Sequence, residues 1–146
     1  MSIFSSLFSS KNQKLVKEWI KEHEEIVKLA GKVIENHAKG DLKATKKELK
    51  KLKTLAVNHI MTEDIELSEL LKEEKRFDET TKKLVYDFNH TFSETKSALI
   101  SFLNKYTKDD AQLDTNFINT FNKLVSVLAK RIEFEEKNLY AKLESA

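Results

Sequence analysis

Apolar residues between Leu15 and Ile34 recur at steps of three and four, through Val16, Trp19, Ile20, Ile26, Val27, Ala30 and Val33. That period predicts one amphipathic helix with a single buried stripe. Gly40 ends it and Asp41 can cap the next, which starts at Leu42 and lines up Leu49, Leu52, Ala56, Leu67 and Leu70 before the polar stretch from Lys72 to Arg76. Asp78 is the expected cap of a third helix reaching about Tyr106, and the run Lys108 to Asp110 breaks it. A fourth begins near Asp114 and carries Phe117, Ile118, Phe121, Leu124, Val125, Leu128, Ile132 and Leu139. Four such helices with short connections predict an all-α fold, an up-down-up-down four-helix bundle over residues 11–146, with a short N-terminal extension over residues 1–10.

Composition narrows the picture. The chain has 146 residues, two glycines and no proline, so one domain of long helices is expected and little interrupts them. No cysteine is present, which excludes disulfides, thiolate metal ligands and cysteine nucleophiles. Charged residues make up 34% of the chain but the net charge is only +2, a mixed-sign surface that implies no nucleic-acid partner. Lys43, Lys46, Lys47, Lys50, Lys51 and Lys53 form the solvated outer face of the second helix, and no aromatics interleave with them. The acidic positions Asp64, Glu66, Glu69, Glu73 and Glu74 read the same way. No apolar run approaches the roughly 20 residues of a membrane span. The first ten residues lack the basic leader and continuous apolar run of a secretory signal, so a cytoplasmic location is expected; Phe4, Leu7 and Phe8 are expected to cover one end of the core, the alternative being a short amphipathic turn that docks on a membrane or partner. No feature specifies an oligomeric state.

Against this pattern, several polar residues fall where the periodicity demands apolar ones. His23 lies four after Trp19, three before Ile26 and seven before Ala30. His59 lies seven after Leu52, with Glu63 four beyond it and Leu67 four beyond that, so an H-x-x-x-E pair faces inward on adjacent turns. Glu135 lies seven after Leu128, and Arg131 seven after Leu124. Burying a lone carboxylate or imidazole is costly unless hydrogen bonds, a paired charge or a metal ion offset it. In an antiparallel pair His23 and His59 reach one level, and with inward carboxylates they have the ligand economy of a metal site in a bundle core.

These residues carry a family resemblance. Trp19-Ile-Lys-Glu-His23-Glu-Glu-Ile26, Leu55-Ala-Val-Asn-His59-Ile-Met-Thr-Glu63-Asp64 and the stretch from Val127 through Arg131, Glu135 and Glu136 to Tyr140 resemble the hemerythrin family, including its bacterial cation-binding members. The family implies a four-helix bundle holding two bridged iron ions, one with two histidines and an open position for oxygen, the other with three histidines. By that resemblance His23 and His59 serve the first iron, with Glu63 and either Glu135 or Glu136 as bridging carboxylates. The chain departs from the pattern at Arg131, which occupies the family's fourth-helix histidine position and cannot donate a lone pair.

The third helix leaves two arrangements open. His90 and Glu94 keep metal-ligand spacing, yet the apolar stripe runs through Leu84, Phe88, Phe92, Leu99, Phe102 and Tyr106, and at about 100° per residue His90 points roughly opposite Phe88. On that phase Thr91 and Thr95 take the inward positions. In one arrangement a kink, a π-bulge or burial on both sides turns His90 and Glu94 inward and two ions bind. In the other, His23, His59, Glu63 and Glu135 hold one ion while Arg131 supplies positive charge in place of the second and pairs with Glu63 or Glu135. Spacing favours the first and helical phase the second. Imidazole and carboxylate ligands without sulfur suit iron, manganese or zinc, and the resemblance adds weight to non-haem iron.

The leading expectation is a hemerythrin-like iron protein that binds or senses dioxygen, nitric oxide or a peroxide, or holds iron. A metal-free interaction or scaffold bundle, its buried polar groups neutralised by Arg131, is the second class. A di-iron oxidase or peroxidase, or an iron-repair factor, is the third. No acid-base or nucleophile constellation beyond the metal ligands supports it, and Trp19, Tyr86 and Tyr106 read as ordinary helical aromatics.

Overall fold

The computed structural model describes the backbone of residues 3–72 and 78–140 and, within those spans, the side chains of all but residues 3–12, 67, 68, 70–72, 91 and 139. Phe4, Leu7, Phe8, Leu67, Leu70, Glu73, Glu74, Thr91 and Leu139 therefore have side chains outside the described residues. Four helices follow one another: α1 Ile3–Ala38, α2 Leu42–Lys72, α3 Glu79–Tyr106 and α4 Thr115–Phe134, the last running on into a π-helical turn, Glu135–Leu139. No strand occurs among the described residues. Each helix packs on its sequence neighbour, and α1 closes the ring against α4. This is the four-helix bundle that the periodicity predicts.

Local chemistry sets the helix ends. Gly40, at φ +77°, closes α1: its N–H donates to the His37 carbonyl at 3.0 Å and the Asp41 N–H to that of Asn36 at 3.0 Å. A glycine is the residue that reaches this left-handed conformation at no steric cost. Asp41, Asp78 and Asp114 cap α2, α3 and α4, their carboxylates accepting from the backbone of Ala44, Thr81 and Phe117 at 3.1, 2.7 and 3.0 Å. The first helix differs from expectation in beginning at Ile3 and running unbroken through residues 3–10. No glycine or proline interrupts it there.

Lys46 is not simply solvated. Its ammonium donates to the carbonyls of Lys108, Asp109 and Ala111 at 2.8, 3.1 and 2.9 Å, fastening the α3–α4 connection to α2. Val27, placed on the buried stripe by spacing, is 56% exposed because Ile26, one position earlier, takes the core-facing direction.

The apolar core falls into two clusters. One gathers Ile26, Val33, Leu49, Leu52, Leu103, Phe117 and Phe121, and the other Val16, Trp19, Val85, Phe88 and Tyr140. Along α1 and α2 the boundary between them is polar, at His23, His59 and Glu63.

Candidate metal centre

The α-helical period carries His23, His59, Glu63, Arg131 and Glu135 inward from three helices, and all five are at most 4% exposed. One ligand atom from each of His23, His59, Glu63 and Glu135 lies within 4.8 Å of the other three. His23 Nε2 and His59 Nε2 are 2.9 Å apart. Glu63 Oε2 lies 2.8 Å from His59 Nε2, and Glu135 Oε2 lies 3.0 Å from His23 Nε2.

The outer nitrogens fix the rings. His59 Nδ1 faces Glu22 Oε2 at 2.9 Å, and His23 Nδ1 faces Glu136 Oε1 at 3.3 Å. Each ring thus meets a carboxylate at both nitrogens, Glu22 and Glu63 for His59 and Glu136 and Glu135 for His23, and a carboxylate only accepts. The two Nε2 atoms, 2.9 Å apart, can share one proton or draw on one metal cation between them and the carboxylates. Glu22 and Glu136 were not legible as partners of these rings: Glu136 is a half-exposed neighbour of Glu135, and Glu22 reaches His59 across a helix boundary.

Tyr140 completes the cluster. Its hydroxyl donates to Glu135 Oε2 at 2.6 Å and also lies 3.1 Å from Glu63 Oε2 and 3.4 Å from His23 Nε2. Glu135 and Tyr140 are five residues apart, a spacing that an α-helix rotates well out of register. The π-helical turn brings them onto one face, with the Tyr140 N–H donating to the Glu135 carbonyl. The period thus changes at the end of the fourth helix, whereas α3 is α-helical from Glu79 to Tyr106 and has no π-bulge to turn His90 inward.

Electrostatics divide the two inner carboxylates. Burial pushes Glu63 up, and the negative charge of Glu135 adds to that push against the hydrogen bond from His59. Burial acts on Glu135 too, but the His23 hydrogen bond, the Arg131 charge and the Tyr140 hydroxyl bring it down to about 2. Arg131 Nε donates to Glu135 Oε1 at 2.8 Å. Burial alone lowers the His59 imidazole, yet the hydrogen bond and charge of Glu63, followed by the Glu22 hydrogen bond, hold it above its ordinary value. Burial, then the charges of Glu63 and Glu135, raise the Tyr140 phenol, which stays protonated. Glu63 Oε1 is buried and has no hydrogen-bond partner.

The third helix contributes no ligand among the described residues. His90 and Glu94 are exposed, and His90 stacks on exposed Tyr86 at 6.2 Å between ring centroids. Phe88 takes the core and His90, two residues later, is carried to the opposite side, so helical phase decides over ligand spacing. Thr95 is half-buried, and in place of a histidine the α3 side offers the rings of Phe88 and Phe92, 5.1 and 5.9 Å from the Arg131 guanidinium carbon. The remaining histidine, His37, donates to the Leu113 carbonyl at 2.9 Å, away from the cluster. An open groove of about 1060 Å³ lies beside the start of α2 among Lys43, Lys47, Lys50 and Leu113 and touches none of the cluster.

Fold and site together define an all-α bundle with a buried two-histidine, two-carboxylate cluster that can hold a metal ion. Comparison with protein-family models, with curated proteins and with solved structures gives no match for this chain. No helix among the described residues is long and apolar enough to cross a membrane.

Proposed function

We propose that this is a hemerythrin-like non-haem metal protein with one ion at His23, His59, Glu63 and Glu135, which binds or senses dioxygen, nitric oxide or a peroxide, or holds iron. One observation carries it: two imidazole Nε2 atoms 2.9 Å apart converge with two buried carboxylates, one of which keeps a partnerless oxygen. Unsatisfied buried acceptors cost about 1–3 kcal/mol each, and a cation removes that cost. The donor set, two nitrogens and two oxygens without sulfur, suits iron, manganese or zinc, and the resemblance favours iron. Bound iron would supply a redox-active centre with positions left for a small ligand.

The chain's own residues do the rest. Glu22 and Glu136 orient the rings, Glu63 and Glu135 supply charge, and Arg131 holds the second oxygen of Glu135. Two carboxylates and one guanidinium leave one negative charge in the core, which a single divalent ion reverses. A second ion would meet the like charge of Arg131, so the stoichiometry is one. A cavity of about 10 Å³ against His23, His59, Arg131 and Glu135, walled by Ile26, Ile60 and Leu128, restricts access to ligands of very few atoms.

Metal analysis of aerobically purified protein, with anaerobic addition of ferrous iron to chelated protein, tests this reading. One equivalent of metal and a visible absorption band are expected; a colourless product that takes up no iron, zinc or manganese would sink it. The metal-free scaffold reading draws on the hydrogen bonds that Arg131 and Tyr140 already give Glu135 without an ion. A melting temperature indifferent to metal and to chelator favours that reading.

A further inference from the structure

Between α2, α3 and α4 lies a pocket of about 320 Å³ that the metal reading does not use. Phe88, Asn89, Phe92, Ser93 and Lys96 line it from α3, positions that fall on one helical face, and Arg131 forms its inner end. Arg131 is only 4% exposed, with Nε given to Glu135 and Phe88 and Phe92 near its guanidinium. Among the described residues no acceptor meets its two Nη atoms. A guanidinium held in place at Nε, with its Nη donors at an open pocket, is a built half of a recognition site.

We infer that this pocket binds a small organic carboxylate, its oxygens on the Nη donors of Arg131 and its apolar body against Phe88 and Phe92. The planar fork of a guanidinium matches the oxygen spacing of a carboxylate. Asn89 and Ser93 offer further polar contacts, and the volume sits at the small end of the ligand-pocket range of about 300–1,000 Å³. Charge selects within the anions. Lys96 at the rim is paired with Asp64, and Arg131 with Glu135, so the pocket has little surplus positive charge. A phosphate dianion would face Asp64, which also lines the pocket, with twice the charge of a carboxylate, whereas a monoanion with an apolar body gains contact with the rings. The site does not depend on the metal reading, because Arg131 is charged with or without an ion.

The test is calorimetric titration of chelator-treated full-length protein with benzoate, acetate and inorganic phosphate. Benzoate should bind saturably and more tightly than either of the others. Arg131→Lys should weaken it by about tenfold or more, because the bidentate fork is lost. Ser93→Phe, at an exposed position that fills the pocket, should abolish it, and that variant decides the matter if the Arg131 variant fails to fold. Benzoate that does not saturate, that survives Ser93→Phe unchanged, or that phosphate matches in affinity overturns the inference.

Discussion

Removing the hydroxyl of Tyr140 separates the two ways of stabilising the buried carboxylates. The phenol oxygen lies within 3.4 Å of three of the four candidate donor atoms: Glu135 Oε2, Glu63 Oε2 and His23 Nε2. It therefore occupies the point on which a cation would draw. A phenol has one proton, and the 2.6 Å contact assigns it to Glu135, the carboxylate held ionised at about 2. Tyr140→Phe leaves the ring packed against Trp19, at 5.3 Å between centroids, and deletes one hydrogen bond to a charged acceptor. Such bonds contribute about 1.5–3 kcal/mol. At roughly 2–4 °C per kcal/mol for a chain of this size, the chelated variant should melt about 3–12 °C below the parent.

With metal present the deficit should shrink, since the ion then satisfies the Glu135 oxygen. By closure of the thermodynamic cycle the variant must bind metal more tightly by the same difference, about tenfold or more. Thermal and urea denaturation of both proteins, in chelator and with one equivalent of ferrous iron under anaerobic conditions, read both sides of the cycle. An identical deficit in the two states, or weaker metal binding by the variant, would refute the reasoning that phenol and cation compete for these oxygens.

His59→Ala should abolish metal uptake, whereas His90→Ala and Glu94→Ala, on the exposed face of α3, should leave stoichiometry and affinity unchanged; metal loss in the His90 variant would show that the helical phase assigned to α3 is wrong. Arg131→Met should destabilise the chelated protein by about 3–5 kcal/mol, because it leaves Glu135 buried without its guanidinium, and a urea midpoint unchanged from the parent would contradict that. His59, raised above 6.5, contributes stability that is whole below pH 6.5 and lost as pH climbs through its raised value, and Glu63, raised above 4.5, acts in the same direction. Glu135, lowered from 4.5 to about 2, contributes stability above pH 4.5 that is lost as pH falls toward 2. Chelated protein should thus be most stable on the mildly acidic side, while the gain on adding metal grows with pH as the ligands deprotonate; melting curves with and without metal that run parallel from pH 5.5 to 8 would count against the ligand assignment.

What the sequence makes legible follows from how local each signal is. Gly40 and the three capping aspartates act on their own helix ends, so residue type and position suffice to place them. The inward phases of His23, His59, Glu63, Arg131 and Glu135 are likewise carried by one period along one helix. His90 shows the limit of spacing rules, because a ligand-like i, i+4 pair with Glu94 gives no direction, and the neighbouring Phe88 sets it. Tyr140 was missed because the π-helical turn changes the period where Glu135 and Tyr140 are brought together. Glu22 on His59 and Lys46 on the α3–α4 connection are contacts between elements, to which no within-helix pattern points.

The polar layer itself needs a physical account, because it divides the apolar core in two. A bundle specified for stability alone would fill those positions with leucine, and replacing a buried ion pair with apolar groups is often neutral or stabilising. Here the outer ring nitrogens are led to Glu22 and Glu136 at the half-exposed edge, the Glu135 oxygens are divided between Arg131 and Tyr140, and only the inner face is left short of partners. Within this layer the converging Nε2 and carboxylate atoms, with the partnerless Glu63 Oε1, lie on one side of Arg131 and the open pocket on the other. Arg131 lines both the buried cavity and the open pocket. A cation drawing on Glu135 would leave more of the guanidinium charge to an anion outside, and by reciprocity that anion would favour the cation within. Arg131 thus gives the cluster a charged side chain through which the surface can act on it.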